Sequence, residues 1–281
     1  MTLSVLTLVK NRETHLANLV DGLNRSTIPA KEFVVVDMSD EPVKRPGTGI
    51  PTRVIRLQRD GLPLAEARNL AARHASSDYL LFLDVDCIPS RDLIAAMLPA
   101  LRANDALICA SIRYLAAGDV SQDWTEEDLA RRGQFHPVRP FADAGLQRED
   151  NAGLFWSLAF GIRKATFDAL GGFDESFVGY GAEDTDFGFR ARDAGVPLLF
   201  MGGPGAFHQH HAVHRPPLQN FGDILRNAAT FHRRWHFWPM EGWLTEFESM
   251  GLIARTSSDI SILRLPTSQQ VNAAKSTDQR F

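Results

Sequence analysis

The chain has 281 residues, of which 44% are hydrophobic and 23% charged, and its formal net charge is −4. This composition is ordinary for a globular protein and excludes a chain that is disordered throughout. The acidic balance argues against a dedicated nucleic-acid-binding protein, and two cysteines, Cys87 and Cys109, are too few for a disulfide framework or a four-cysteine zinc site.

The hydropathy of the chain sets the expectation about its location. No apolar run approaches the roughly 20 residues that a membrane-spanning helix needs, and residues 1–9 lack the basic region that opens a signal peptide. We therefore expect a cytoplasmic protein, and peripheral contact with the inner face of a membrane stays open.

Strand and helix patterns alternate through the first part of the chain. Apolar runs predict strands over 3–9, 33–36, 53–57 and 79–83, and helical spacing predicts helices over 11–23 and 64–74. This alternation indicates an α/β fold with a mostly parallel sheet and helices on both faces. Ligands of such sheets bind beyond the carboxyl ends of the strands. The polar clusters at 7–12, 37–40 and 84–86 lie there, which predicts one crevice.

The second part of the chain is less regular. We expect helices over 92–101, 165–170, 183–194 and 224–235, strands over 107–112, 157–162 and 198–201, and an excursion over the site between 115 and 153. Residues 1–214 are predicted to form the catalytic domain, 215–254 a helical extension and 255–281 a flexible tail rich in Ser, Thr and Gln.

Two aspartates, Asp84 and Asp86, directly follow the buried run 79–83. At a strand end they would form an exposed pair of carboxylates. Such hard oxygen donors suit Mg²⁺ or Mn²⁺, which often link protein carboxylates to phosphates. The alternative is a solvated strand end at which the D-x-D spacing has no role.

A glycine-rich acidic segment follows, with the sequences GGFDE at 171–175 and GYGAEDTD at 179–186. Glycines permit positive φ and a close approach of the backbone to a ligand. Glu183, Asp184 and Asp186 open a predicted helix, where carboxylates favour the helix dipole. Three carboxylates exceed what a cap needs, and a carboxylate at a rigid helix start is well placed to act as a general base.

Histidines cluster after the last predicted strand. His208, His210 and His211 lie close together, and His214 follows. Imidazole is a common metal ligand, so we expect at least one of them to bind a metal. A zinc site made of three histidines is the alternative, although the spacing does not match an H-E-x-x-H helix.

These motifs, in this order, resemble glycosyltransferase family 2 with a GT-A fold. The matching segments are Asn11-Arg12, Val34 to Asp37, Ala67-Arg68-Asn69, Leu83 to Asp86, 171–175 and 181–184. The second half is more specifically similar to the C-terminal domain of the β-1,4-galactosyltransferases, whose G-W-G-x-E-D motif reads GYGAED here. The resemblance covers about residues 3–214.

The resemblance implies an inverting, metal-dependent transfer of a sugar from a nucleotide-sugar to a hydroxyl of a glycan or glycoconjugate. A UDP-hexose or UDP-N-acetylhexosamine is expected as donor, with a galactose-type sugar favoured. By position, Thr7 and Arg12 would line the nucleotide pocket, and Asp37 would contact the uracil. Arg68 would lie near the base or the phosphates, and Asp84 would face the ribose and sugar.

The resemblance also implies the reacting groups. Asp86 and His208 would bind Mn²⁺ or Mg²⁺, Glu183 would hold a sugar, and Asp184 would be the general base. Tyr180 replaces the tryptophan of the family motif, so a stacked sugar platform is still chemically feasible, but the acceptor preference does not carry over.

Two other functions compete with this interpretation. A nucleotidyltransferase acting on a sugar phosphate also combines an α/β sheet with D-x-D metal chemistry, but usually carries a glycine- and lysine-rich loop that 7–12 lacks. A non-catalytic sugar-binding module would tolerate loss of Asp84, Asp86 and Asp184, and all three are present.

The aromatic and basic segment 231–243 has two interpretations. It is either a helix packed on the catalytic domain, with aromatic rings inside and Arg233 and Arg234 outside, or a surface for the acceptor or for peripheral membrane contact. The oligomeric state has no signal in the sequence.

Overall fold

A computed structural model describes residues 2–276 of the chain, and the predicted apolar runs form strands there. The strands are β1 (Leu3–Val9), β2 (Glu32–Asp37), β3 (Thr52–Arg56), β4 (Tyr79–Leu83), β5 (Cys87–Pro89), β6 (Leu107–Tyr114), β7 (Gln134–Phe135), β8 (Gly145–Glu149), β9 (Ala159–Arg163), β10 (Leu198–His208), β11 (Val213–His214), β12 (Ile253–Arg255), β13 (Ile260–Ile262) and β14 (Lys275–Ser276). The helices are α1 (Glu13–Asn24), α2 (Leu64–His74), α3 (Leu93–Ala103), α4 (Glu126–Arg132), α5 (Lys164–Ala169), α6 (Glu183–Asp193), α7 (Phe221–Trp235), α8 (Glu241–Ser249) and α9 (Ser268–Ala273).

One large sheet organises the described residues. Its order is β3-β2-β1-β4-β9-β6-β10-β5, with β7 beside β6 and β8 beside β10. The strands β3, β2, β1, β4, β6 and β10 run in one direction, and β9 and β5 run against them. The predicted α/β fold with a mostly parallel sheet is confirmed. The carboxyl ends of β2, β1 and β4 therefore meet at one edge.

Helices cover both faces of this sheet. On one face, α1 and α3 pack against a cluster that includes Val5 and Leu81. On the other face, α2, α5 and α6 pack against a cluster that includes Leu6 and Leu80. Because both faces of the sheet are covered, successive side chains of a strand are all buried, on alternating faces. The strand sequences are therefore continuously apolar rather than alternating between apolar and polar residues.

Strand β10 is longer than the sequence predicts. The predicted strand stops at Met201, whereas β10 continues to His208. Its pairing with β6 shifts register between Met201 and Ala206, which absorbs the irregular segment Gly-Gly-Pro-Gly. The consequence is functional, because the strand carries His208 to the sheet edge where β5 pairs with it.

The segment after β11 builds a smaller core of its own. Phe221, Ile224, Leu244 and Phe247 are among its buried members. A second cluster joins this extension to α6 through Phe189 and other aromatic side chains. No helix within residues 2–276 is both long and apolar enough to cross a membrane.

The division at residues 214 and 254 and the flexibility of 255–281 stay predictions. In the structure the described part of that last segment contains β13, α9 and β14. The helix α9 begins with a capping box between Thr267 and Gln270, and β14 pairs with β11. Residues 277–281 lie outside the described residues.

Candidate active site

The turn after β4 places two aspartates at the carboxyl edge of the sheet. The amide of Cys87 donates to the carbonyl of Asp84 at 2.8 Å, which closes the turn and starts β5. Asp86 is 8% exposed and the side chain of Asp84 is 30% exposed. The expected exposed pair is thus mostly buried, because β5 pairs with the end of β10 beside it.

Asp86, His208 and His211 form one group of possible metal ligands. Each offers one ligand atom, and these atoms all lie within 4.8 Å of one another. The antiparallel pairing of His208 with Cys87 is what brings the imidazole to Asp86. Oδ1 of Asp86 and Nδ1 of His208 are buried and lack a hydrogen-bond partner in the structure. Buried donors and acceptors are normally paired, so this arrangement fits a bound cation.

Gln209 holds the turn that carries the histidines, a role that its position between His208 and His210 does not by itself predict. Its amide donates to the carbonyl of Asp86 at 2.7 Å, and its side-chain amide donates to the carbonyl of His15 at 3.0 Å. Asn18 donates to its Oε1 at 2.7 Å. His210 does not join the metal-ligand group, so a three-histidine arrangement is not formed in the part of the chain that the structure describes.

The charges around this group favour cation binding. Burial alone would raise the pKa of Asp86, but Arg12, which forms an ion pair with it, and the nearby histidines outweigh burial and lower the pKa. Burial lowers the pKa of His208 to about 4, against the opposing charge of Asp86. The carboxylate is therefore ionised and the imidazole neutral near pH 7, which are the metal-binding forms.

A second cluster of charges lies next to the first. Arg68, 3% exposed on α2, donates to Glu183 at 3.0 Å and lies 3.6 Å from Asp84. Burial raises the pKa of Asp84 to about 7; Arg68 opposes this, while Asp86, Glu183 and Asp184 add to it. One guanidinium thus faces several carboxylates, and the excess negative charge is of the kind that a neighbouring cation neutralises.

Asp184 has the properties of a general base. It lies in the first turn of α6, where the amide of Thr185 donates to its Oδ1 at 2.7 Å. Burial and the negative charge of Glu183 raise the pKa of Asp184 to about 6, against the opposing charge of Arg68. At pH 7 the group is still ionised and is a stronger base than an ordinary aspartate.

Tyr180 lies near these carboxylates and next to Trp243, which ends the aromatic and basic segment 231–243. Its ring stacks on Trp243 of α8 with centroids 5.7 Å apart and planes at 29°. Burial, together with the charges of Glu183 and Asp184, raises the pKa of Tyr180 to about 12, so the phenol is neutral. Both rings are partly exposed, which leaves aromatic surface at the rim of the site.

Asp37 lies apart from both clusters, buried at the end of β2. Its carboxylate accepts from Arg56 at 2.6 Å and from the amides of Ser39 and Val43 at 2.9 and 3.0 Å. Burial would raise the pKa of Asp37, but these hydrogen bonds outweigh it and lower the pKa. The structure therefore shows Asp37 shaping the loop after β2.

A cavity of about 600 Å³ opens on that loop, beyond the ends of β1, β2 and β3. It is lined by Lys10, Met38, Ser39, Asp40, Gln58, Arg59 and Asp60.

Thr7, which the resemblance places in a nucleotide pocket, lies within β1 and is 1% exposed. The structure thus brings eight of the ten predicted site residues together: Arg12, Arg68, Asp84, Asp86, Tyr180, Glu183, Asp184 and His208.

The chain belongs to the glycosyltransferase like family 2, because residues 56–212, more than half of the chain, match the model of that family. It is 28% identical over 264 residues to validoxylamine A glucosyltransferase of Streptomyces hygroscopicus subsp. limoneus, covering 83% of this chain and 56% of that protein. It is 26% identical over 238 residues to chondroitin synthase of Escherichia coli, covering 74% and 34%. The chain thus spans little more than half of the first relative.

Solved structures with the same architecture are GT-A glycosyltransferases. GalNAc-T7 with UDP, GalNAc and Mn²⁺ superposes with a TM-score of 0.57 at 18% identity, over 75% of this chain and 43% of that chain. Residues 1–349 of S. aureus TarS with UDP-GlcNAc give 0.55 at 15% identity, over 88% and 76%. The predicted family and GT-A fold are confirmed.

Proposed function

We propose that this protein transfers a sugar from a UDP-sugar to a hydroxyl of a glycan or glycoconjugate, with inversion at the anomeric carbon. The observation that carries the proposal is a carboxylate–imidazole group, Asp86 with His208 and His211, together with Asp184, a carboxylate of raised pKa; the charges of Asp86 and Asp184 both act on Asp84. The relatives named as glucosyltransferase and the neighbour with bound UDP-GlcNAc support the same chemistry.

The residues present fit a divalent cation. Two imidazoles and one carboxylate form a donor set that suits Mn²⁺ better than Mg²⁺, which prefers oxygen ligands. The neighbour with bound Mn²⁺ supports that choice. When bound, such a cation would neutralise the charge that develops on a departing diphosphate. Arg12, now paired with Asp86, is the side chain placed to contact the diphosphate once a cation holds that carboxylate.

The proton and the acceptor would be handled by α6. Asp184 takes the proton of the acceptor hydroxyl as that oxygen attacks the anomeric carbon, and the bond from that carbon to the diphosphate breaks on the opposite face. Glu183, oriented by Arg68, holds a sugar hydroxyl, and Tyr180 offers an aromatic face to a sugar ring. The cavity beside Lys10 and Gln58 has the position and size for the nucleoside.

Several finer statements belong to this proposal. A galactose-type donor, contact of Asp37 and Thr7 with the nucleotide, a cytoplasmic location and peripheral membrane contact through 231–243 are all expectations from the sequence. Within that segment Phe231 and Trp238 are buried, Trp235 and Trp243 are partly exposed, and Phe237 is 44% exposed.

The proposal is tested by screening UDP-sugars and saccharide acceptors with release of UDP as the readout. We expect Mn²⁺-dependent turnover of at least one pair. Asp184→Asn should lower kcat about 10²- to 10⁴-fold and leave the Kd for UDP with Mn²⁺ unchanged, since it removes only general-base assistance. Asp193→Asn, an exposed carboxylate on the same helix, is the control. Near-full transfer by Asp184→Asn would exclude Asp184 as the base.

A further inference from the structure

We propose that helix α7 of the extension positions the catalytic carboxylates, with Asn227 as the central positioning residue. The proposal rests on the function proposed above. It implies that the extension, residues 215–254, contributes to catalysis by positioning active-site residues. It starts from a set of polar side chains on α7 that hold the backbone of residues 178–186, the segment that delivers Glu183 and Asp184.

The backbone of this segment adopts several left-handed conformations, which need support from neighbouring residues. Gly179, Gly181 and Ala182 have φ of 83°, 100° and 70°. An alanine in the left-handed region is unfavourable, because its Cβ crowds the following carbonyl. Ala182 immediately precedes α6, and no side chain caps that helix end. Such conformations persist only where the surrounding structure over-determines them.

Asn227 supplies the central restraint. Its side chain is fully buried, and its Nδ2 donates to the carbonyls of Tyr180 and Gly181 at 3.2 and 3.0 Å. One turn earlier on α7, Asp223 accepts from the amide of Tyr180 at 3.3 Å. A Cβ on Gly179 would lie 2.1 Å from Asp223 Oδ2, so glycine is what permits this close approach. The helix therefore holds both backbone groups of Tyr180.

Two arginines of α7 extend this contact in both directions. Arg226 donates to the carbonyl of Val178 at 2.7 Å, at the start of the segment. Arg234 donates to Asp186 at 2.6 Å, inside α6 beyond the carboxylates. In one interpretation of the sequence Arg234 lies on the outside of the packed helix; its side chain is 40% exposed and also bridges two elements. Helix α7 thus contacts the chain both before and after Glu183 and Asp184, and these contacts fix the position of the two carboxylates relative to the sheet.

Loss of these contacts should change the geometry of the reacting groups, and so the rate, rather than the binding of substrates. A displacement of about 1 Å between reacting groups can cost on the order of 10²-fold in rate. Because Asp86, His208 and His211 lie on the sheet side of the site and not on this segment, loosening the segment should leave binding of UDP and Mn²⁺ intact. Asn227 touches no substrate in this scheme and acts through Asp184.

The test compares Asn227→Leu, which removes the donors at similar volume, with the unaltered protein. We expect kcat to fall about 10- to 100-fold with unchanged Kd for UDP in the presence of Mn²⁺. The pKa of Asp184, followed by ¹³C NMR of its carboxyl, should move down from about 6 towards the ordinary aspartate value as the group becomes more solvated. A lower Tm with unchanged kcat and unchanged Asp184 pKa would overturn the proposal.

A second pair of variants guards against failure of Asn227→Leu to fold. Arg226→Ala removes the contact to Val178 from an exposed position, and Gly222→Ala, one turn earlier, adds a methyl group where no atom lies within 4 Å. We expect only Arg226→Ala to lower kcat; equal values for the two would count against the proposal. If no UDP-sugar and acceptor pair is turned over, the proposed function fails, and if Asp184→Asn retains full turnover, the assignment of the base fails. In either case the NMR readout still tests whether α7 positions Asp184.

Discussion

At the scale of single residues, the candidate active site contains more carboxylates than cationic side chains to pair with them. Asp84, Glu183 and Asp184 surround the buried Arg68, while Asp86 pairs with Arg12 and lies near His15 and His211. A surface cluster of the same composition would be solvated and would titrate normally. Here burial, together with the excess negative charge, raises the pKa of Asp84 to about 7 and the pKa of Asp184 to about 6.

The pH dependence of turnover follows from Asp184. Its pKa of about 6 means that the proposed base is ionised at pH 7.5 and becomes protonated as the pH falls through 6. We expect kcat to drop about tenfold per pH unit below that value, measured as UDP release under saturating substrates. Asp184→Asn should show residual activity without this acidic limb. An identical limb in that variant would assign the titration to another group.

His211 allows a second test at this scale, because the sequence alone could not choose among the histidines. His211→Ala removes one of three ligands, and we expect the Kd for Mn²⁺ in the presence of UDP to rise about 10- to 100-fold, measured by calorimetry. Asp86→Ala should abolish the Mn²⁺-dependent rise in Tm. His214→Ala is the control, since His214 lies outside the ligand group. Equal losses in His211→Ala and His214→Ala would exclude His211 as a ligand.

At the scale of elements, one buried carboxylate joins α6 to α7. Asp186 is fully buried and accepts from Arg190, Arg234 and the indole of Trp235, at 2.8, 2.6 and 3.0 Å. The sequence places this aspartate beside Asp184 in one acidic run, yet the helix turns its carboxylate away from the site. Its role in the fold explains why the run contains more carboxylates than a cap or a base requires.

Removing this carboxylate should therefore cost stability. We expect Asp186→Ala to lower the free energy of unfolding by about 2–4 kcal/mol, because it removes a buried acceptor of hydrogen bonds from Arg190, Arg234 and Trp235. Arg234 keeps its pair with Asp174, and Arg190 keeps the carbonyls of Leu170 and Gly172. Urea unfolding measures the change. Asp193→Ala, on the same helix but exposed and paired with the exposed Arg192, should cost less than about 1 kcal/mol. Similar losses in the two variants would contradict the assigned role of Asp186.

The elements also show what the sequence can and cannot predict. Strands β1 and β4 and helix α2 have the predicted bounds, because their apolar patterns are long and uninterrupted. β10 was predicted too short, since Gly-Gly-Pro-Gly resembles a turn and only pairing with β6 and β5 keeps the strand extended. For the same reason the site motifs follow from local pattern, whereas the roles of Gln209 and Asn227 depend on distant partners and do not. Trp243 falls in the predicted segment 231–243, but its contact with Tyr180 does not follow from the pattern.

At the scale of the whole molecule, the extension and the sheet share a core at α6. Phe189 of α6 meets Phe231 of α7 edge to face, with ring centroids 5.8 Å apart, and both belong to one buried cluster. Together with the Asp186 contacts, this continuity leads us to expect that residues 215–254 unfold together with the sheet as one cooperative unit. A separately folding domain would lack such a shared core.

Thermal unfolding should accordingly show one transition, which UDP with Mn²⁺ shifts upward. Leu244→Ala, a substitution in the core of the extension, should lower the Tm of that same transition by several degrees, since a buried Leu→Ala change costs about 2–5 kcal/mol. Leu263→Ala, at a position 61% exposed, should leave the Tm within about 1 °C. Scanning calorimetry decides the question. Two transitions, of which UDP with Mn²⁺ moves one and Leu244→Ala moves the other, would show that the extension unfolds independently and that contacts across α6 and α7 do not couple it to the catalytic domain.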